Sequence, residues 1–334
     1  MASQVEFAPV LAAYPADCQP TRVEPLGSAG GFSGASFWQL STARGLLCLR
    51  RWPRDYPPVD QLQFIQAVLW HVHHEGFDRV PLPLEAASHA GYVVHDGCFW
   101  ELAPWMPGVA DYHRAPSDTR LIAALAALAE LHLAAASFPL PDIGPSVSPG
   151  MVRREAIFRH LQGGGIDQMA AAIQDGNWPA LAARARRLVQ LFHVAATGSA
   201  GLIDRATRLR VALQPCIRDI WHDHLLFTGD RVSGIVDFGS MKPDNVATDV
   251  ARLLGSLVGD ERSAWELGLA AYESIRPLSD DERSLINVFD RTTVLMGGLQ
   301  WLEWIYLERK AFSDRTVIET RLDQTIERAE RLAQ

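Results

Sequence analysis

Two aspartates eighteen residues apart, Asp219 and Asp237, are the residues of this chain whose type and spacing best suit chemistry. An apolar run, Arg210–Ile217, reads as a buried strand that delivers Arg218 and Asp219. A polar tract follows to His224, and two short apolar runs, Leu225–Thr228 and Val232–Val236, flank the turn Gly229-Asp230-Arg231 as a hairpin. The second run ends on Asp237-Phe238-Gly239. An acid at the end of a loop, a hairpin, then an acid at the end of a strand can set two carboxylates around one phosphate. One then orients an attacking hydroxyl and accepts its proton, while the other holds Mg²⁺ on the β- and γ-phosphates.

A different chemistry is open to His222-Asp223-His224. Two histidines at i and i+2 could share a transition metal with an aspartate, as in some hydrolases. No further His or acid follows at a confirming spacing.

The elements that would position these groups begin with Leu26–Gly34, a glycine-rich stretch before the strand-like Ala35–Leu40. Glycines between two antiparallel strands let backbone N–H groups come close to phosphate, although the same cluster can be an ordinary loop. The turn Ala43-Arg44-Gly45 leads into Leu46–Arg51, a strand that carries Arg50 either towards phosphate or to a solvated strand end. Prolines 53, 57 and 58 break the chain before a helix over Val59–Glu75. That helix offers Gln63, Ile65 and Gln66 to the strand, with no acid until Glu75, so a carboxylate for Arg50 is missing unless Asp60 supplies it. Gly91–Val94 and Cys98–Leu102 form a second hairpin around His95-Asp96-Gly97, running into the Pro/Gly-rich joint Glu101–Gly108.

Beyond the joint the pattern turns helical. Ser117 caps a helix to about Ala136, and helices follow at Pro149–Leu161, Ile166–Gln174, Pro179–Ala196 and Asp249–Val258. The last third carries no motif; Trp301, Trp304, Ile305 and Glu308 read either as core with a polar edge or as one wall of a pocket.

These motifs together resemble the aminoglycoside phosphotransferase / choline kinase-like family, with Gly30-Gly31-Phe32-Ser33 as the phosphate lid and Asp219…Asp237…Asp249 as the acids. The resemblance implies an α+β, protein-kinase-like fold: a small, mainly antiparallel β N-terminal lobe over residues 1–103 and a larger, mainly helical lobe over 104–334 that binds the acceptor. It implies phosphoryl transfer from ATP or GTP to a hydroxyl of a small metabolite. Asp219 is then the base, Arg218 its catalytic-loop companion, Arg50 the phosphate cation and Asp237 the Mg²⁺ ligand. Glu101 and Ala103 lie on the hinge whose backbone holds adenine, and Asp249 supports the catalytic loop by hydrogen bonding. Ile217 stands where the family has His. His224 stands where it has the metal-binding Asn, which suits either a second metal site biased towards Mn²⁺ or a purely hydrogen-bonding role. These departures leave room for a catalytically silent nucleotide- or metabolite-binding protein on the same fold.

Composition narrows the partners. A chain of 334 residues with 48% hydrophobic and 21% charged residues is a globular protein large enough for two lobes. A net charge of −8 argues against nucleic acid or an anionic membrane as partner and points to a small-molecule acceptor, whose identity it leaves open. The four cysteines form no CxxC pair, and the first twenty residues have no basic segment before an apolar one. Both features predict a cytoplasmic protein.

Overall fold

The computed structural model describes residues 7–27, 34–54, 56–141, 144–176, 178–310, 312 and 315–333. It divides into two compact units, residues 1–139 with 219–242, and residues 140–218 with 243–334.

The first unit is built on an antiparallel sheet of five strands: β1 Pro20–Gly27, β2 Ser36–Thr42, β3 Gly45–Arg51, β4 Val93–His95 and β5 Cys98–Pro104, in the order β1-β2-β3-β5-β4. Side chains alternate across a strand, and one face collects Trp38 and Leu40, Leu47 and Leu49, and Trp100 and Leu102 into a buried core. The chain start closes that core with Phe7, Val10, Leu11, Tyr14 and Cys18. Arg50 and Glu101 alternate with these residues and are directly paired in the β3/β5 register, so both project from the opposite face. Three α-helices among the described residues belong to this unit. Helix α2, Val59–His74, follows the short α1, Ala8–Leu11, and buries Leu62, Ile65, Gln66, Val68, Leu69 and Val72. Helix α3, Asp118–Ala135, starts where the Ser117 hydroxyl accepts the Arg120 N–H.

The hairpin expected around Gly229 is present, with Leu225–Thr228 paired to Arg231–Ile235. It is stitched to the segment after β5: Val109 and Phe227 exchange backbone hydrogen bonds of 3.0 and 2.9 Å. Gly108 has φ +99°, and a Cβ there would sit 2.7 Å from the Phe227 carbonyl oxygen and against Ser233. Only glycine fits that crossing.

The second unit is helical. Its helices are α4 Pro149–His160, α5 Ile166–Ala172, α6 Pro179–Ala206, α7 Ala247–Val258, α8 Arg262–Glu273, α9 Asp280–Leu302 and α10 Arg315–Leu332. Helix α9 opens with a full capping box between Ser279 and Glu282. The strand expected over Arg210–Ile217 is shorter, Gln214–Cys216, and lies beside Lys242–Asp244. The antiparallel β sheet and the helical remainder are those of the protein-kinase-like fold. No helix among the described residues is long and apolar enough to cross a membrane. All four cysteines are free thiols.

Candidate active site

Asp237 ends the hairpin of the first unit in the left-handed region, φ +61°, a conformation that Asp tolerates better than most residues. That turn points its carboxylate back at β3. Arg50 Nη2 donates to Asp237 Oδ1 at 3.3 Å, and the Gly239 N–H donates to the same oxygen at 3.4 Å. Burial pushes the Asp237 carboxyl up, but Arg50, His224 and the Gly239 N–H outweigh it and hold the group below the usual carboxylate range. It is therefore an anion at neutral pH, with oxygen donors of the kind a hard divalent cation takes.

Arg50 lies over Trp52, its guanidinium carbon 3.3 Å from the ring centroid. Its Nε is buried and has no acceptor among the described residues. The cation thus keeps donor capacity for an anion such as a phosphate oxygen.

The acid opposite Arg50 stands on a neighbouring strand and not on α2, with its carboxylate turned to other partners. Glu101 of β5 accepts from the Trp52 indole N–H and, at 2.6 Å, from Gln66 Nε2 of α2. Burial raises its pKa, against the pull of Arg50, Gln66 and Trp52. Neither Asp60 nor Glu75 takes this part. Glu101, expected on the hinge by its backbone, commits its carboxylate to Trp52 and Gln66. Ala103 faces Cys48 in the same ladder, and the Trp105 N–H after it bonds the Leu46 carbonyl at 3.0 Å. Gly30, Gly31, Phe32 and Ser33 lie outside the described residues.

His224 ends the short 3₁₀ turn His222–His224 and is mostly buried. Its Nε2 accepts the Trp221 indole N–H at 2.7 Å and lies 3.7 Å from Asp237 Oδ2. That nitrogen is close enough to Asp237 to share a cation with it, but its lone pair is already engaged by Trp221. His222 packs edge-on against Trp221 and His113, with ring centroids 4.7 and 4.2 Å away. Among the described residues His222, Asp223 and His224 do not bring three ligand atoms together, so the hydrolase reading finds no metal cluster there.

The second unit fixes the backbone leading into Asp219. Asp249, buried on α7, accepts the Ile217 N–H at 2.7 Å and the Arg218 N–H at 2.6 Å, the hydrogen-bonding part that the resemblance implied. The chain then turns through Arg218 at φ +67°. Arg218 Nε is 3.2 Å from Asp244 Oδ2, a residue that sequence reasoning missed. Asp244 is fully buried at the start of α4, where it accepts from the Ser148 hydroxyl at 2.5 Å and the Gly150 N–H at 2.9 Å. A helix N-terminus favours such an anion. The signal was present in Ser148-Pro149-Gly150, a cap followed by a residue without Cβ.

Farther along this unit, α9 runs into a π-helical turn, Glu303–Leu307, where Trp301 and Trp304 meet edge to face at 5.2 Å. Their faces are attended by the chain's own cations, Arg321 over Trp301 and Lys310 over Trp304. That arrangement favours packing over a pocket wall.

With this geometry in hand, a family model described as the phosphotransferase enzyme family matches residues 28–285. The chain belongs to that family. A homoserine kinase of Mesorhizobium japonicum is 27% identical over 293 residues, which is 84% of this chain and 80% of the relative. An aminoglycoside phosphotransferase from Alicyclobacillus acidocaldarius superposes with TM-score 0.67 at 16% identity, covering 97% of this chain and 93% of its own. A spectinomycin phosphotransferase, solved with ADP and spectinomycin, gives 0.66 at 11% identity over 93% and 92% of the two chains. The family and fold implied by the motifs are borne out, and the protein is a small-molecule kinase.

Proposed function

We propose that the protein transfers the γ-phosphate of ATP, or of GTP, to a hydroxyl of a small, amine-bearing metabolite. The nucleotide is held by residues 1–103 and the acceptor by the helical remainder, 104–334. The observation that carries this reading is the Arg50–Asp237 contact of 3.3 Å, which joins a strand cation to the carboxylate ending the hairpin. Phosphoryl transfer needs such a pair, because its catalysis is mostly positioning and neutralisation of phosphate charge.

In this reading Asp237 would hold Mg²⁺, which would supply positive charge against the negative charge of the phosphates. Arg50 grips the phosphates with donors that its own chain leaves free. The backbone of Glu101–Ala103 meets the base, and Gly30–Ser33 covers the phosphates. Asp219 accepts the proton of the acceptor hydroxyl, with Arg218 setting the loop that carries it. His224 orients rather than ligates, since its Nε2 already accepts from Trp221.

The acceptor class is suggested by the homoserine kinase relative and agrees with the acidic balance of the chain. The test is phosphate transfer from radiolabelled ATP and GTP, with Mg²⁺, to homoserine, aminopropanol, choline and an aminoglycoside. Labelled product from at least one amino alcohol is expected. Tight nucleotide binding with no transfer to any hydroxyl compound would leave a silent binding protein instead.

A further inference from the structure

Arg50 has no acid from α2 beside it, yet it is not loosely held. We infer that Trp52 and Glu101 are positioning residues for the Arg50 cation, the indole ring as its platform and the carboxylate as the lock on that ring. The inference rests on the reading of Arg50 and Asp237 given above.

Trp52 is 2% exposed, and the Arg50 guanidinium carbon lies 3.3 Å from its ring centroid. The far edge of the same ring meets the loop after Asp237: a Cβ on Gly239 would lie 3.3 Å from both Cζ3 and Cη2. Tyr56 packs against the ring edge at 6.4 Å, and its hydroxyl donates to the Gly239 carbonyl at 2.9 Å. One ring therefore lies against Arg50 and against the loop that follows Asp237.

The ring cannot turn freely. Its N–H is donated to Glu101, whose other oxygen takes Gln66 Nε2 at 2.6 Å, and Gln66 also donates to the Gly91 carbonyl at 3.1 Å. Rotating the indole would strand a buried N–H and a buried carboxylate oxygen, which is costly. The lock thus fixes the face that carries the cation, and through Gln66 it ties that face to α2.

A ring platform also differs chemically from a carboxylate partner. A carboxylate would consume the in-plane N–H donors of Arg50, whereas a cation–π contact uses its face and leaves those donors for Asp237 and a phosphate. The guanidinium can shift in its own plane from one anion to the other without leaving its support.

The test is calorimetric titration of the full chain with Mg·ATP and separately with adenosine, which lacks the phosphates Arg50 would grip. Trp52→Leu should weaken Mg·ATP about tenfold and leave adenosine unchanged. Glu101→Leu should weaken Mg·ATP severalfold and Glu101→Gln should restore most of it, since an amide oxygen still accepts the indole N–H. Should Trp52→Leu fail to fold, Trp52→Phe and the Glu101 pair decide by the same Mg·ATP-to-adenosine ratio. If these variants keep the wild-type ratio while Arg50→Ala loses it, the positioning role is overturned and the phosphate-cation reading stands. A wild-type ratio in Arg50→Ala itself overturns both.

Discussion

Arg50 Nη2 and Asp237 Oδ1 are 3.3 Å apart, so the cation assigned to phosphate and the carboxylate assigned to metal are each other's partner. The pair sets a charge from β3 against one from the loop that ends the hairpin. In the proposed function this contact is what Mg·nucleotide would compete with, the metal for the carboxylate and the phosphates for the guanidinium.

The pair has a pH signature. Asp237 is held below the ordinary carboxylate range, so its contribution to stability is fully present above the unfolded-state value and is lost as pH falls through the folded one. Arg50→Met removes the largest favourable influence on that carboxylate. The gap in melting temperature between wild type and Arg50→Met should be steady from about pH 7 down to the usual carboxylate range near 3.9, then narrow below it. Because the Asp237 side chain is 43% exposed, solvent keeps the effect modest. Thermal melts across the acid range check this, and a gap that stays flat to the acid end would remove the electrostatic part of the pair.

The two acids should fail differently. Asp219→Asn should cut turnover by about 10²–10⁴-fold, the range for a positioned base, and leave nucleotide affinity nearly intact. Asp237→Ala should instead weaken binding of the Mg-nucleotide itself. Titration with and without Mg²⁺, beside initial rates, separates them; equal nucleotide affinity in Asp237→Ala and wild type would contradict its metal role.

How much of this was legible follows from locality. The hairpin between Asp219 and Asp237 was legible because its turn residues announce it, and the Asp249 hydrogen bonds to the loop before Asp219 follow the family pattern. The acid nearest Arg50 in the sheet, Glu101, was not legible from α2, because it stands opposite Arg50 in the β3/β5 register, a pairing set by sheet formation and not by spacing along one element. The alternation of Arg50 with Leu49, and of Glu101 with Leu102, placed each on the polar face but could not say that those faces meet. Helix α6 ends at Ala206 and not Ala196, although Thr197-Gly198-Ser199 reads as a stop. There the buried Ser199 hydroxyl bonds the Ala195 carbonyl and accepts from Arg291 of α9, so packing overrides weak propensity. Asp244 was invisible for the same reason: its partners, Ser148 and Gly150, are more than ninety residues away.

Gly150 should tolerate no side chain. A Cβ there would lie 2.5 Å from Asp244 Oδ2 and 3.3 Å from the Phe289 ring, both of them buried. Gly150→Ala must push Asp244 off Ser148 and Arg218, at about 1–3 kcal/mol for a strained core. Denaturant melts should show that loss. Turnover should fall more than nucleotide affinity, because Arg218 is bonded directly to Asp219 in the chain. A variant as stable and active as wild type would show that Asp244 is free to move.

Trp221 decides what His224 can do. Its indole N–H is donated to His224 Nε2 at 2.7 Å, so that nitrogen can join a metal at Asp237, 3.7 Å away, only by giving up the indole. With Trp221 in place, wild type should prefer Mg²⁺, for which one carboxylate beside phosphate and water oxygens is enough. Trp221→Phe keeps the ring and removes the donor, which frees an imidazole nitrogen that Mn²⁺ accepts more readily than Mg²⁺. The ratio of Mn²⁺- to Mg²⁺-supported rate should therefore rise in Trp221→Phe. His224→Asn offers a carbonyl oxygen instead, so it should hold the ratio low, and the double variant Trp221→Phe/His224→Asn should return to it. Initial rates of the four proteins with each metal make the comparison. A ratio that rises in the double variant as much as in Trp221→Phe would place the effect on the loop and not on His224. Identical ratios in all four would leave His224 as a hydrogen-bond acceptor for Trp221 and nothing more.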